Sequence, residues 1–256
     1  MAEWNWEPDD FAALWFSPAN DRFPNPLRFT SRFAYRDDFE LHRVTMRERY
    51  SHDELEEIQL ALNTLSESTM RIEIFGGTTQ HKNSNGGTRS YRIVGARTDY
   101  HAVSLAQATF ADTNGPIRCR LFPVAHLPSE LVNSLPRCKP GNQPSSTFHP
   151  EDVYGNRNGH MESVTHNSPR ERYQRLLHRP ADGGGSALLY TGGVNTLADP
   201  LTTVQWHDIT NDGRYTELRG QHITVRPTAP TDLTTQFTTW IDRVTQRLRE
   251  AEEDSW

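Results

Sequence analysis

Hydrophobic residues in the first half of the chain follow a helical period and then a strand period. The helical spacing predicts one helix over residues 37–49 and a second that begins at a capping box formed by Ser51 and Glu54. Runs that alternate apolar and polar residues then predict four strands, and a short helix is expected near Pro128. The predicted strands cover residues 70–75, 88–97, 100–107 and 117–122.

The second half repeats this order of elements. Ser168, Pro169 and Glu171 are typical of a helix start, because they supply an N-cap, a proline at the first helical position and a capping glutamate. Strands are then predicted over residues 186–192, 202–208, 214–220 and 222–227. Thr231 is expected to cap a final helix with one wide apolar stripe. The stripe consists of Leu233, Phe237, Trp240, Ile241, Val244 and Leu248.

The matching halves predict the fold class. Residues 139–168 are rich in Pro, Gly, Asn and Ser and show no period, so we expect a linker or a long loop there. We therefore predict an α+β fold in which residues 1–138 and 169–256 form a pseudo-twofold duplicated unit around a shared antiparallel sheet. The alternative is two ordinary α+β pieces whose order of elements happens to match.

One acidic segment invites a metal-binding interpretation. In DITNDGRY, residues 208–215, Asp208, Thr210 and Asp212 occupy the first ligand positions of a calcium loop. The twelfth position is Arg219, a cation where that loop needs a bidentate glutamate. An Asp-Gly pair between strand-like runs is a strong hairpin signal, so we predict a turn.

Two glycine-rich segments are predicted to be connections. Residues 76–88 contain two Gly-Gly pairs and no large apolar anchor, which predicts a mobile loop between two strands. Residues 183–186 read Gly-Gly-Gly-Ser without the lysine of a phosphate-binding loop, which predicts a connector from helix to strand.

Composition excludes several classes of partner. The net charge of -6 argues against nucleic acid or an anionic membrane surface, and no apolar run approaches the length of a membrane span. The first residues lack the pattern of a signal peptide, and two cysteines do not make a disulfide framework, so we expect a cytoplasmic protein. Only two of the 27 basic residues are lysines, as in the GC-rich genomes of actinobacteria.

No arrangement of residues predicts catalysis. His149, His160 and His166 lack the helical spacing of a zinc site, and Cys119 is expected to be a buried thiol. Neighbouring carboxylates such as Asp37 and Asp38 point apart on a helix. We therefore expect no metal, no cofactor and no enzymatic activity; an enzyme whose site assembles from both halves is the alternative.

The predicted strands offer a polar surface. Alternation assigns Met70, Ile72, Ile74, Ile117, Leu121, Val204, Trp206, Ile223 and Val225 to one buried face of the sheet. The opposite face would carry Arg71 and Glu73 together with candidate partner-binding residues. These candidates are Arg118, Arg120, Gln205, His207, His222, Thr224 and Arg226. Such a face is either plain solvated surface or a docking surface for another protein.

Several segments, in order, resemble those of the EspG family. The opening motif is carried by Phe11, Leu14, Trp15, Arg22, Pro24, Pro26 and Leu27. Further similarity lies in the segments RDDFELHR, HAVSLAQ and LPRCKPGNQPSS. It ends with the Asp-Gly-Arg-Tyr signature in DGRYTEL, ahead of the last strand, ITVRP. The resemblance covers essentially the whole chain, 1–256, as a single EspG-like domain.

The resemblance implies a function. Members of the family that the chain resembles are cytosolic chaperones of the ESX (type VII) secretion system, which bind the tip of a PPE-type helical hairpin in a PE–PPE pair. They keep this client soluble and direct it to export. The family fold would add two flanking helical bundles to the central sheet. A soluble subunit of the secretion apparatus is a further alternative, and the sequence leaves open whether the chain forms a homodimer.

Overall fold

The architecture is taken from a computed structural model that describes residues 1–82, 85–155 and 168–254. The first half contains β1 (Ala2–Trp6), α1 (Pro8–Trp15), α2 (Arg36–Glu48), α3 (His52–Ser66), β2 (Met70–Thr78), β3 (Arg89–Arg97), β4 (His101–Phe110), β5 (Thr113–Pro123) and α4 (Leu127–Asn133). The second half contains β6 (Ser146–Phe148), α5 (Pro150–Tyr154), α6 (Pro169–Leu177), β7 (Ala181–Thr191), β8 (Thr202–Ile209), β9 (Gly213–Arg219), β10 (Ile223–Pro227) and α7 (Pro230–Glu253).

All the strands join one antiparallel sheet with the order β1-β5-β4-β3-β2-β7-β8-β9-β10-β6. Strands β2 to β5 form one meander and β7 to β10 form another, and the two meanders meet where β2 pairs with β7. The large antiparallel sheet and its helices confirm the α+β class.

Helix starts follow the local sequence closely. The capping boxes at Ser51 and Ser168 are both formed, since each serine accepts the amide of its glutamate and each glutamate accepts the serine amide. At α7 the predicted cap is wrong by two residues. The helix starts at Pro230, and the carboxylate of Asp232 accepts the amide of Ala229 at 2.7 Å.

The two sides of the sheet carry separate cores. The front face, defined by Met70, Ile72 and Ile74 of β2, packs against α4 and α7. The back face is covered at one end by α1, α2 and α3, and at the other end by α5 and α6.

The predicted single apolar face is wrong. Register pairs place Ile117 and Leu121 on the back face, opposite to Ile72, because Ile72 aligns through Gly95 and Ser104 with Arg120. Ile223 and Val225 also lie on the back face, in the core beneath α5 and α6. Since both faces are buried over much of their area, apolar residues occur on both.

The predicted connector at residues 183–186 is wrong, because these residues are all strand, and the predicted loop at residues 76–88 begins inside a strand. Residues 76–78 belong to β2, and residues 183–186 lie inside β7, where Gly76 stands opposite Gly185. A Cβ on Gly76 would lie 2.3 Å from the carbonyl oxygen of Gly184, so the two chains pass too closely for a side chain. Asn83 and Ser84 lie outside the described residues.

Elements that the sequence did not predict occur at both sheet edges. Strand β1 precedes α1, and the proposed linker contains β6 and α5. Alternating tryptophans at positions 4 and 6 were a usable strand signal for β1. His160 and His166 fall within 156–167, outside the described residues.

Helix α7 supplies two large aromatic side chains, Phe237 and Trp240, to the front core. Trp240 is 4% exposed and its ring centroid lies 5.6 Å from that of Phe237. We expect Trp240→Ala to lower the free energy of unfolding by about 3–5 kcal/mol, because it removes a large buried side chain. Chemical denaturation measures this loss.

The control for this variant is Thr238→Ala, on the exposed side of α7. It should change the free energy of unfolding by less than about 0.5 kcal/mol. Equal stability of the Trp240→Ala and Thr238→Ala proteins would show that α7 is not docked on the sheet.

Candidate functional site

The helices on the back face leave the middle of the sheet open. We call this opening the central strip and define it by Phe75 of β2, Ser186 and Leu188 of β7, and Thr203, Gln205 and His207 of β8. Phe75 is 46% exposed, and the other members are exposed or half-buried. The central strip therefore offers an apolar ring and an aliphatic side chain beside hydrogen-bonding groups.

Register explains the shape of the central strip. Phe75, Ser186 and Gln205 stand side by side on three adjacent strands. In the next row, Gly77 and Gly184 stand beside His207. Because the two glycines have no side chain, the surface of the sheet is recessed beside His207.

A loop from the first half forms one wall. The side chain of Asn25 donates to the carboxylate of Glu73, and the amide of Arg28 donates to Oε1 of Gln107 at 2.8 Å. Gln107 in turn donates from Nε2 to the carbonyl of Arg28 at 2.9 Å. These bonds hold the loop on the sheet beside Phe75.

Arg71 closes one end of the central strip. Its Nε donates to Glu73 at 2.7 Å, and its guanidinium also donates to the carbonyls of Thr191, Gly192, Gly193 and Thr196. Both charged side chains are buried, so the expectation that Arg71 and Glu73 lie on a solvated face is wrong. A buried pair with satisfied hydrogen bonds fixes the β7–β8 loop against β2.

A buried carboxylate lies beside the other wall. Glu217 accepts from the hydroxyl of Tyr173 on α6 at 3.0 Å and from Arg219, while Nε2 of His207 lies 3.9 Å away. Burial acts to raise the pKa of Glu217, but the neighbouring His207 and Arg219 hold it below its ordinary value. Glu217 is therefore an anion beneath the edge of the central strip.

The predicted partner-binding residues do not share one face. Gln205 and His207 belong to the central strip, whereas register places Arg118, Arg120, Thr224 and Arg226 on the front face, and His222 is exposed between β9 and β10. Arg120 is already paired with Glu3 and Glu130. The single polar face is wrong; partner binding by these residues stays a prediction.

Sequence reasoning missed Phe75 and Leu188. Both stand out of phase with the front-face residues of their own strands, Ile74 and Leu189. The available signal was that apolar residues occur at both odd and even positions of β2 and β7, since a strand with one solvated face alternates more strictly between apolar and polar residues.

The aspartates of the DITNDGRY segment form ion pairs with arginines. Asp208 accepts from Nε of Arg214 at 2.7 Å, and Asp212 accepts from Arg179 and from the hydroxyl of Tyr215. The segment forms the turn between β8 and β9, as predicted. Within the described ranges, no cluster of three His, Cys, Asp or Glu residues could hold a metal ion.

Family comparison decides the relationship of the chain. The model of the EspG family matches residues 7–238. The chain belongs to the EspG family. The resemblance inferred from the sequence is thus confirmed. EspG is a family of ESX secretion-associated chaperones rather than of enzymes.

Other comparisons add nothing to the EspG assignment. No curated protein matches the chain. Among solved structures, the crystal structure of HtdX from Mycobacterium tuberculosis is 11% identical, with 89% of this chain and 99% of that chain covered and a TM-score of 0.18. A TM-score this low gives no information about the fold or the function of this chain. In the part of this EspG-family chain that the structure describes, no helix is long and apolar enough to cross a membrane.

Asp212 makes the stability of the C-terminal half depend on pH. Burial acts to raise the pKa of Asp212, but bonds from Asn142, Tyr215 and Arg179 lower it to about 2. A lowered pKa in the folded state means that this stabilisation is complete above the unfolded pKa of about 4 and is lost as pH falls toward 2.

We therefore expect Asp212→Asn to lower the free energy of unfolding at pH 7 by about 1.5–3 kcal/mol, as for hydrogen bonds to a charged group. The difference between the two proteins should shrink as pH falls from 4 to 2, which urea titrations at several pH values measure. A difference that is constant with pH would contradict the role of the Asp212 carboxylate.

Proposed function

We propose that this chain is a cytosolic ESX (type VII) secretion chaperone that binds the tip of a helical hairpin, either PPE-like or part of a PE–PPE-like pair, and directs it to export. Membership of the EspG family supports the class of function. The observation that supports this mode of binding is the central strip, where Phe75 stands exposed between two sets of helices.

The width of the central strip suits a helix. Neighbouring strands lie about 4.8 Å apart, so β2 and β8 are separated by about 10 Å across β7. An α-helix with its side chains is about 10–12 Å in diameter. One helix of a hairpin tip would therefore fit the opening between the Arg28 loop and α6.

The chemistry of the central strip suits a client that is insoluble alone. An exposed apolar hairpin tip is an aggregation hazard. Phe75 and Leu188 offer apolar contact, while Ser186, Gln205 and His207 offer hydrogen bonds to the polar groups of a helix end. Such binding needs neither ATP nor a metal.

Gln205 and His207 are the members of the predicted partner-binding set that we assign to the client. Arg118, Arg120, His222, Thr224 and Arg226 remain candidates for contacts outside the central strip, on the front face and at the β9–β10 turn. A homodimer remains part of the proposal only as an alternative to the client-bound state.

We further propose that the chain is a single domain whose halves, 1–138 and 169–256, are copies of one unit with two flanking helical bundles. The order of elements supports this: a strand, then helices, a four-stranded meander and a last helix occur in residues 1–138, and the same order recurs when β6 and α5 of the segment 139–168 are counted with residues 169–256. The edge strands β1 and β6 also pair with the last strand of the meander that follows them, β5 and β10.

The test uses recombinant PE–PPE pairs of an ESX system, mixed with the purified chain in isothermal titration calorimetry. We expect a one-to-one complex with at least one pair. Phe75→Asp should weaken this complex at least tenfold, or about 1.4 kcal/mol, because it places a charge on the apolar contact.

The matched control is Tyr100→Asp, which alters an aromatic residue that is 80% exposed at the β3–β4 turn. This variant should bind within about twofold of the unsubstituted chain. If Phe75→Asp binds as well as Tyr100→Asp, the client does not dock on the central strip. If no PE–PPE pair binds at all, the proposed client class is wrong.

A further inference from the structure

A second concavity lies on the opposite side of the sheet from the central strip. It covers the front face of β3, β4 and β5 beyond the end of α4, and its volume is about 380 Å³. We call it the front groove. Its apolar lining includes Tyr91, Ile93, Ala106, Ala108, Leu135 and Pro136.

Small residues create the front groove. Ala106 and Ala108 lie on the front face of β4. Ala106 is paired with Ile93 of β3 and Ala108 with Tyr91, and β5 lies on the other side of β4. Leu135 and Pro136 follow α4 and form the opposite wall. The groove continues past Ala108 toward Phe110 and Thr113.

Two arginines stand at different ends of the front groove. Arg118 aligns with Ala106, and Arg89 aligns with Phe110. Both are exposed. Arg118 donates to the hydroxyl of Ser134 at 3.4 Å, and among the described residues neither Arg118 nor Arg89 forms an ion pair.

The contrast with Arg120 is informative. Arg120 is two residues along the same face of β5 and is paired with both Glu3 and Glu130. The chain as a whole carries a charge of -6. The front groove is therefore a local reversal of charge in which two guanidinium groups form no ion pair with any of the acidic residues that the structure describes.

We propose that the front groove binds an extended acidic peptide segment. This goes beyond the proposed function, because the site lies on the other face of the sheet from the central strip. From strand geometry, the Cα atoms of Arg89 and Arg118 are about 16 Å apart, four residues along the strand and two strands across. An extended chain covers that distance in about five residues.

The separation of the arginines selects this ligand. One carboxylate reaches one arginine, so a small monocarboxylate uses half of the site. Side chains of an extended chain alternate between its two sides, so two acidic residues four positions apart face the same side with Cα atoms about 13 Å apart. Their long side chains reach both arginines, and a small apolar residue midway between them lies over Ala106 and Ala108. Bidentate pairing with carboxylates is the chemistry that guanidinium favours.

A single-stranded nucleic acid fits the front groove less well. Its recognition needs exposed aromatic side chains on which bases stack, together with a track of cations. Tyr91 in the floor is only 7% exposed and donates its hydroxyl to the carbonyl of Gly184. The groove thus presents two cations and, at its outer end, the partly exposed ring of Phe110, rather than a row of aromatic side chains on which successive bases stack.

The probe is the fluorescein-labelled peptide Glu-Val-Ala-Val-Glu, whose two glutamates and central alanine face the same side when extended, and its partner is the same peptide with glutamine at both ends. Fluorescence polarisation should show binding of the acidic peptide that is at least fivefold tighter than binding of the glutamine peptide. The affinity for the acidic peptide should fall as the salt concentration rises.

Charge reversal locates the binding. Arg118→Glu and Arg89→Glu should each lower the affinity for the acidic peptide at least fivefold. The control is Arg36→Glu, which alters an exposed arginine at the start of α2 and should change this affinity less than twofold. Thermal unfolding verifies that the exposed variants fold. Equal binding of the two peptides, no measurable binding, or equal effects of the three variants would overturn the proposal. Tighter binding of a uridine decamer, lost in the same two variants, would assign the groove to nucleic acid instead.

Discussion

The pairing of β2 with β7 is the constraint on which the rest of the structure depends. It runs from Met70 opposite Thr191 to Thr78 opposite Gly183 and joins the two meanders into one sheet. Glycines make it feasible, since a Cβ on Gly185 would lie 2.6 Å from the hydroxyl of Tyr91. Arg71 reinforces the same seam, because it bonds Glu73 on its own strand and carbonyls beyond the end of β7.

This seam also determines where surfaces remain available. Each half brings its own helices to the back face, and these helices pack over the outer strands rather than over β2 and β7. The gap above the seam is the central strip with Phe75. On the front face, α4 and α7 cover the middle of the sheet and leave the outer end of β3 to β5 as the front groove. The two proposed sites are thus consequences of one arrangement of helices.

Local signals predicted local structure well. The serine-glutamate capping boxes and the apolar stripe from Leu233 to Val244 occur as expected, because both depend on neighbours within one helix. The sequence could not predict which residues of different strands share a face. Alternation assigns residues to the two faces only within one strand, whereas the relation between strands depends on their register. Gln205 and Arg226 consequently fall on opposite faces. Of the candidate site, the sequence supplied Gln205 and His207 but not Phe75, which becomes exposed only through the gap between helices.

The central claim is that a hairpin client contacts the seam of the sheet. Photo-crosslinking tests it most directly, with p-benzoylphenylalanine placed at position 75 and, as a reference, at Leu41, which is 69% exposed on α2. In a mixture with the PE–PPE pair, the account predicts a crosslink from position 75 to the PPE hairpin tip and none from position 41. A crosslink from position 41 without one from position 75 would contradict it.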